Sequence, residues 1–72
     1  INWLNNKWEM TLNEERKYLV RIRHRQEPQL ATLKMKKKHL YIQFEKQQRG
    51  IAKGQFAAWY HKDELIGSGT IN

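Results

Sequence analysis

Two stretches of this 72-residue chain place polar side chains at spacings that suggest chemistry. In the first, Arg21, Arg23 and Arg25 alternate with other residues. Residues two apart share a face of an extended strand, so three guanidiniums would stand in a row. Guanidinium forks match pairs of phosphate oxygens. Three like charges on one face also repel unless an anion or an acidic partner stands opposite. In the second stretch, Gln48, Arg49, Lys53 and Gln55 surround Gly50 and Gly54. Amide and guanidinium groups on a glycine-shaped loop can read an unpaired base edge in single-stranded RNA. A structural alternative stays open for each set. The arginines can be a solvated strand face or pair with a neighbouring domain. The loop can turn a barrel corner with its Gln side chains bonded to backbone.

Other chemistries find little support. The chain has no cysteine, so it has no disulfide, no thiol nucleophile and no cysteine-ligated metal. His24, His39 and His61 stand without clustered carboxylates and do not make a ligand set. Glu14-Glu15 and Asp63-Glu64 are chain neighbours, which point to opposite faces of a strand and make poor acid–base partners. Fourteen Lys and Arg against seven Asp and Glu give a net charge of +7. Such a balance calls for an anionic partner. Lys34, Lys36, Lys37 and Lys38 read as a solvated hairpin tip that attracts RNA diffusely. The mean hydropathy is −0.95, and no apolar run approaches the roughly 20 residues that span a bilayer. The chain starts at Ile1 with no signal-peptide pattern and is read as a piece of a longer protein.

The elements that must position these residues are strands. Period-two alternation over 17–25 puts Tyr18, Val20, Ile22 and His24 on one face and Leu19 with the three arginines on the other. Pro28 closes that strand. Further strands are expected over 29–35, with Leu30, Leu33 and Met35 inward and Thr32 a weaker inward candidate, and over 39–45, with Leu40, Ile42 and Phe44 inward. Lys36-Lys37-Lys38 forms the turn between them. After the loop of 46–55, strands follow over 56–61 and 65–71, with a turn at 62–64. Gly67 and Gly69 mark a bulge or corner in the last. Trp3 and Trp8 cover either this core or a neighbour, and Tyr41 is the best-placed exposed aromatic for base stacking. The fold class expected is all-β: a small, mostly antiparallel β-barrel of five or six strands. Residues 1–15 are expected to be an irregular lead-in from a preceding domain, and 16–72 the barrel.

Several runs, in order, resemble one family. They are Val20-Arg21-Ile22-Arg23-His24-Arg25-Gln26, Pro28, Gln48-Arg49-Gly50-Ile51-Ala52-Lys53-Gly54-Gln55, Ala58-Trp59-Tyr60 and Ile66-Gly67-Ser68-Gly69-Thr70-Ile71. Together they resemble the C-terminal domain of tRNA-specific 2-thiouridylases, also labelled tRNA (5-methylaminomethyl-2-thiouridylate)-methyltransferases. Asn2-Trp3-Leu4 resembles the pair that leads into it. Some positions depart from the pattern. Lys53 stands where the family usually has proline, Ser68 interrupts a glycine run, and His24 replaces an aromatic residue. His61-Lys62-Asp63 stands where Asp-Gly-Asp is common.

The resemblance implies that the parent protein is a cytoplasmic transferase. Its nucleotide-binding domain uses ATP to adenylate the C2 oxygen of the wobble uridine, and cysteines there deliver sulfur from a carrier protein. This chain would be the non-catalytic barrel, with no cofactor of its own. It would help hold the tRNA anticodon stem-loop beside the catalytic and central domains of the same polypeptide, away from any membrane. Two other readings stay open. One is an interdomain structural barrel without RNA contact, and the other is an unrelated basic barrel of translation.

Overall fold

A computed structural model describes every residue except 23–26, 38 and 49. Six strands form one antiparallel sheet: β1 (Asn2–Trp3), β2 (Glu15–Arg21), β3 (Gln29–Lys36), β4 (His39–Phe44), β5 (Phe56–His61) and β6 (Glu64–Thr70). Their order is β1-β6-β5-β2-β3-β4. A single turn of 3-10 helix (Asn6–Trp8) follows β1, with the Asn5 side chain accepting from the Lys7 N–H at its start. The class is all-β, as expected. The edge strands β1 and β4 are not hydrogen-bonded to each other, so the barrel is open along one seam.

Alternation decides which face is buried. Tyr18 and Val20 on β2, Ala31, Leu33 and Met35 on β3, Ala57 and Trp59 on β5 and Ile66 on β6 form the core. Leu40, Ile42 and Phe44 from β4 pack against it from the seam side. With one sheet and no second layer, these inward faces can be covered only if the sheet curls on itself. Burial of Trp59, Leu33, Ile66 and Val20 is essentially complete. Each such side chain stabilises the fold by about 1.5–3 kcal/mol relative to an exposed one.

The segment before β2 belongs to this packing. Trp3 meets Trp59 edge-on with ring centroids 5.5 Å apart. Trp8 meets Tyr18 at 6.4 Å and His61 at 5.0 Å. Met10 is buried with the core. Asn13 donates its backbone N–H to the Met35 carbonyl at 2.7 Å, and Met35 donates to the Glu14 carbonyl at 3.0 Å. This segment is therefore stitched to the end of β3.

Three expectations need correction. Leu30 and Thr32 are expected inward, but both face out, and Leu30 is 41% exposed. Leu30 and Leu33 are three apart, an odd number, so they cannot share a strand face; Ala31 takes the inward place. The strand expected over 17–25 starts at Glu15 and, within the described residues, ends at Arg21; positions 23–25 of the expected strand, His24 among them, lie outside the described residues. The last strand, expected over 65–71, runs from Glu64 to Thr70. Gly67 of β6 adjoins an irregularity, whereas Gly69 pairs regularly with Ala57. Trp59 pairs with Gly67 and Tyr60 with Leu65, which leaves Ile66 as the extra residue of a bulge. Gly67 is required there, because a Cβ at that position would overlap the Trp59 indole at Nε1 and Cε2.

Candidate nucleic-acid interface

Register brings Arg21 and the described part of the glycine loop to one end of the sheet. Arg21 lies opposite Ala58, Val20 opposite Gln29, Ala31 opposite Phe44, and Phe56 opposite Thr70. The end of β2, the start of β3, the end of β4 and the start of β5 therefore share a rim. The connection from Arg21 to Gln29 and the loop 45–55 both spring from it. Segments some 30 positions apart in sequence leave the same end of the sheet because β2 pairs with both β3 and β5.

Arg21 is on the outward face, as the alternation predicts. It does not stand free. The residue is half-buried, its guanidinium lies 5.8 Å from the centre of the Tyr60 ring, and its Nε is buried without a hydrogen-bond acceptor. Stacking on Tyr60 holds the guanidinium against the sheet. Arg23, Arg25 and Arg49, the other guanidiniums of the expected set, lie outside the described residues, so a row of three is not placed by the structure.

The loop side chains are used to shape the loop. Gln55 accepts the Ala52 N–H at its Oε1, 2.8 Å away, and its backbone N–H reaches the Ala52 carbonyl at 3.3 Å. Gly54, at φ 93°, makes the tight turn that this pairing needs. The Gly54 N–H donates to the Ile71 carbonyl at 2.7 Å, and the Ile71 N–H to the Gln55 carbonyl at 2.8 Å. The loop is thus anchored to the chain's last residues. Gln48 donates from Nε2 to the Lys46 carbonyl at 2.9 Å. Lys53 is exposed at the tip of the turn.

The lysine cluster is elsewhere. Lys36 pairs with His39 in register at the opposite end of the sheet, next to Lys37, and both lysines are exposed. Lys34 faces Glu15 at 3.1 Å, and Lys17 faces Glu45 at 3.2 Å. Tyr41 is exposed at 58% on the same outward face as Lys34, its register partner, and away from the rim.

Among the described residues, the best-connected arginine is one outside the expected set. Arg16 donates from Nε to Glu14 at 2.7 Å, and from Nη1 to the Trp8 carbonyl at 3.1 Å and the Tyr18 hydroxyl at 3.3 Å. Its pKa is raised, first by the Tyr18 hydroxyl and then by Glu14. The Glu14 carboxyl is held below its ordinary value, first by the Thr11 backbone N–H and then by Arg16. Arg16 thus clamps the 3-10 turn to β2 and is not a binding group. Its inward parity with Tyr18 and Val20 was the available signal. Among the described residues, no cluster of three or more potential ligands could hold a metal ion. No helix of the structure is long and apolar enough to cross a membrane.

The family model of the aminomethyltransferase beta-barrel domain matches residues 1–71. The chain belongs to this family. It is 38% identical over its whole length to the tRNA-specific 2-thiouridylase MnmA of Flavobacterium johnsoniae. It is 39% identical to that of Christiangramia forsetii and 43% identical to that of Karelsulcia muelleri, again across all 72 residues. The match occupies 18% of each relative, so the chain spans under a fifth of their length. No solved structure matches it. The resemblance drawn from the motifs, to the C-terminal domain of tRNA-specific 2-thiouridylases, therefore holds across the chain.

Proposed function

We propose that this domain is the accessory tRNA-binding barrel of a 2-thiouridylase, and that its rim receives the anticodon stem-loop. The supporting observation is the convergence of Arg21 with the glycine loop carrying Gln48, Lys53 and Gln55 at one end of the sheet. Arg21, Arg23, Arg25, Arg49 and Lys53 supply phosphate contacts in this reading, and Gln48 and Gln55 keep the loop in shape and face base edges. The net charge of +7 adds long-range attraction.

The catalytic steps belong to other parts of the full-length enzyme. Sulfur delivery to C2 of the wobble uridine needs a thiol, and this chain has no cysteine. ATP binding, docking of a sulfur-carrier protein and a cytoplasmic location are likewise proposed for the parent enzyme. The test is tRNA affinity of the full-length protein with Arg21, Arg23 and Arg25 all changed to Ala. Weaker binding, with a salt slope reduced by roughly 0.7–0.9 per lost phosphate contact, supports the reading. Unchanged affinity would favour the scaffolding alternative.

A further inference from the structure

Strand β1 is two residues long, while its partner β6 is seven. Their antiparallel register sets Trp3 opposite Gly67 and Asn2 opposite Ser68, and stops there. The geometry continues one step further, because the Ile1 Cα lies 3.6 Å from where a Cβ on Gly69 would stand. Next along β6 comes Thr70. Alternate residues of a strand send their backbone N–H and C=O groups out by the same edge. Ile71 sends both of its groups to the glycine loop, donating to Gln55 and accepting from Gly54. Thr70 therefore sends its own to the opposite edge, the one that β1 occupies. Ile66 uses that edge too, accepting the Leu4 N–H at 3.1 Å. Among the described residues no strand lies beside Thr70 there. Such an edge is a template for one more stretch of extended chain.

The open seam next to this edge forms a cleft of about 670 Å³, lined by Leu40, Ile42 and Phe44 of β4 together with Trp59, Ile1 and Ile71. Side chains of β1 alternate, so Ile1 shares the inward face with Trp3, which packs on Trp59. Ile1 is nonetheless 56% exposed, because the cleft beside it is uncovered. In an extended chain the second residue before Ile1 shares that face as well. At 3.3–3.4 Å per residue it stands roughly 7 Å beyond Ile1, level with Ile71, and points into the cleft. Connectivity supplies the occupant. The chain resembles the C-terminal domain of its relatives and occupies 18% of each, so in a polypeptide of that plan most residues precede Ile1. The direction of the backbone at Ile1 delivers them onto Thr70, at the high effective concentration of a covalent neighbour.

We propose that the residues immediately before Ile1 in the longer polypeptide continue β1, pair with Thr70, and place the apolar side chain of the second residue before Ile1 in the seam cleft. The connection into this domain is then a strand of the barrel and not a free linker. The test uses the full-length protein without tRNA. Ile71→Cys is combined with a cysteine at the second position before Ile1. The two form a non-hydrogen-bonded pair with Cα atoms about 4.5 Å apart, within disulfide range. The control combines Ile71→Cys with a cysteine at the first position before Ile1, whose side chain leaves by the opposite face. After oxidation with oxidised glutathione, peptide mass spectrometry should find the disulfide at least roughly tenfold more abundant in the first variant than in the control. Equal cross-linking in both, or none in either, overturns the proposal. If the variants do not fold, the unmodified protein answers through hydrogen exchange. The Thr70 amide should exchange roughly a hundredfold or more below its unfolded rate. Exchange at the unfolded rate overturns the proposal. So does protection that appears only on adding tRNA, or protection that grows with protein concentration and so indicates a second copy.

Discussion

At the scale of the residue, the tightest constraint is the contact between Gly67 and Trp59. The indole is 1% exposed and lies against the β6 backbone, where a side chain at position 67 has no room. Gly67→Ala should destabilise the domain by about 1–3 kcal/mol, read as a lower urea midpoint with an unchanged slope. Glu14 supplies a second prediction, with a pH signature. Its folded pKa lies below the ordinary 4.5, so the unfolded chain binds more protons between the two values. The stabilisation is fully present above 4.5 and is lost as pH falls through the folded value. Glu14→Gln should therefore lower the urea midpoint at neutral pH. The gap to the parent should close as the titration is carried down to about pH 2. A gap that persists in acid would mean that the amide disturbs the turn for another reason.

At the scale of the element, the hairpin from β5 to β6 shows how a departure from the family pattern has a physical cost. His61 pairs with Glu64, so Lys62-Asp63 is a two-residue loop, and Lys62 has a φ of 55°. Two-residue hairpins favour glycine where φ is positive, because a Cβ crowds the following carbonyl there. The family's common Asp-Gly-Asp puts glycine at this position, whereas this chain has lysine. Lys62→Gly should raise stability by about 0.5–1 kcal/mol, measured as a higher urea midpoint. The strands were legible wherever alternation was clean, as at Tyr18, Val20, Leu40, Ile42 and Phe44. Alternation failed at β3 because two leucines of opposite parity both looked like core, and only the register with β2 shows that Ala31 is the buried one. The rim was half legible. The residue types pointed to phosphate and base contacts, but no local pattern reveals that β2 pairs with β5 across an intervening hairpin and a long loop.

At the scale of the whole molecule, charge position and total charge make different predictions. The domain measures 29 × 25 × 21 Å, and the two ends of the sheet carry different cations. Lys53 belongs to the glycine loop at the rim, while Lys36 and Lys37 lie at the hairpin of the opposite end. The Debye length is about 8 Å at physiological ionic strength, so a charge at one end is largely screened from a ligand at the other. Reversing both Lys36 and Lys37 to Glu removes four units of net charge, and Lys53→Glu removes two. If the rim receives the tRNA, Lys53→Glu should cost the full-length protein about tenfold in affinity and reduce the salt slope by roughly 1. The double reversal should change affinity less than that at physiological salt, although it is the larger change in charge. Its effect should emerge as ionic strength is lowered and the screening length grows to about 30 Å, the size of the domain itself. Filter-binding or fluorescence titrations over a salt series check both variants. Affinity that simply follows net charge would place the RNA nowhere in particular and would remove the ground for assigning it to the rim.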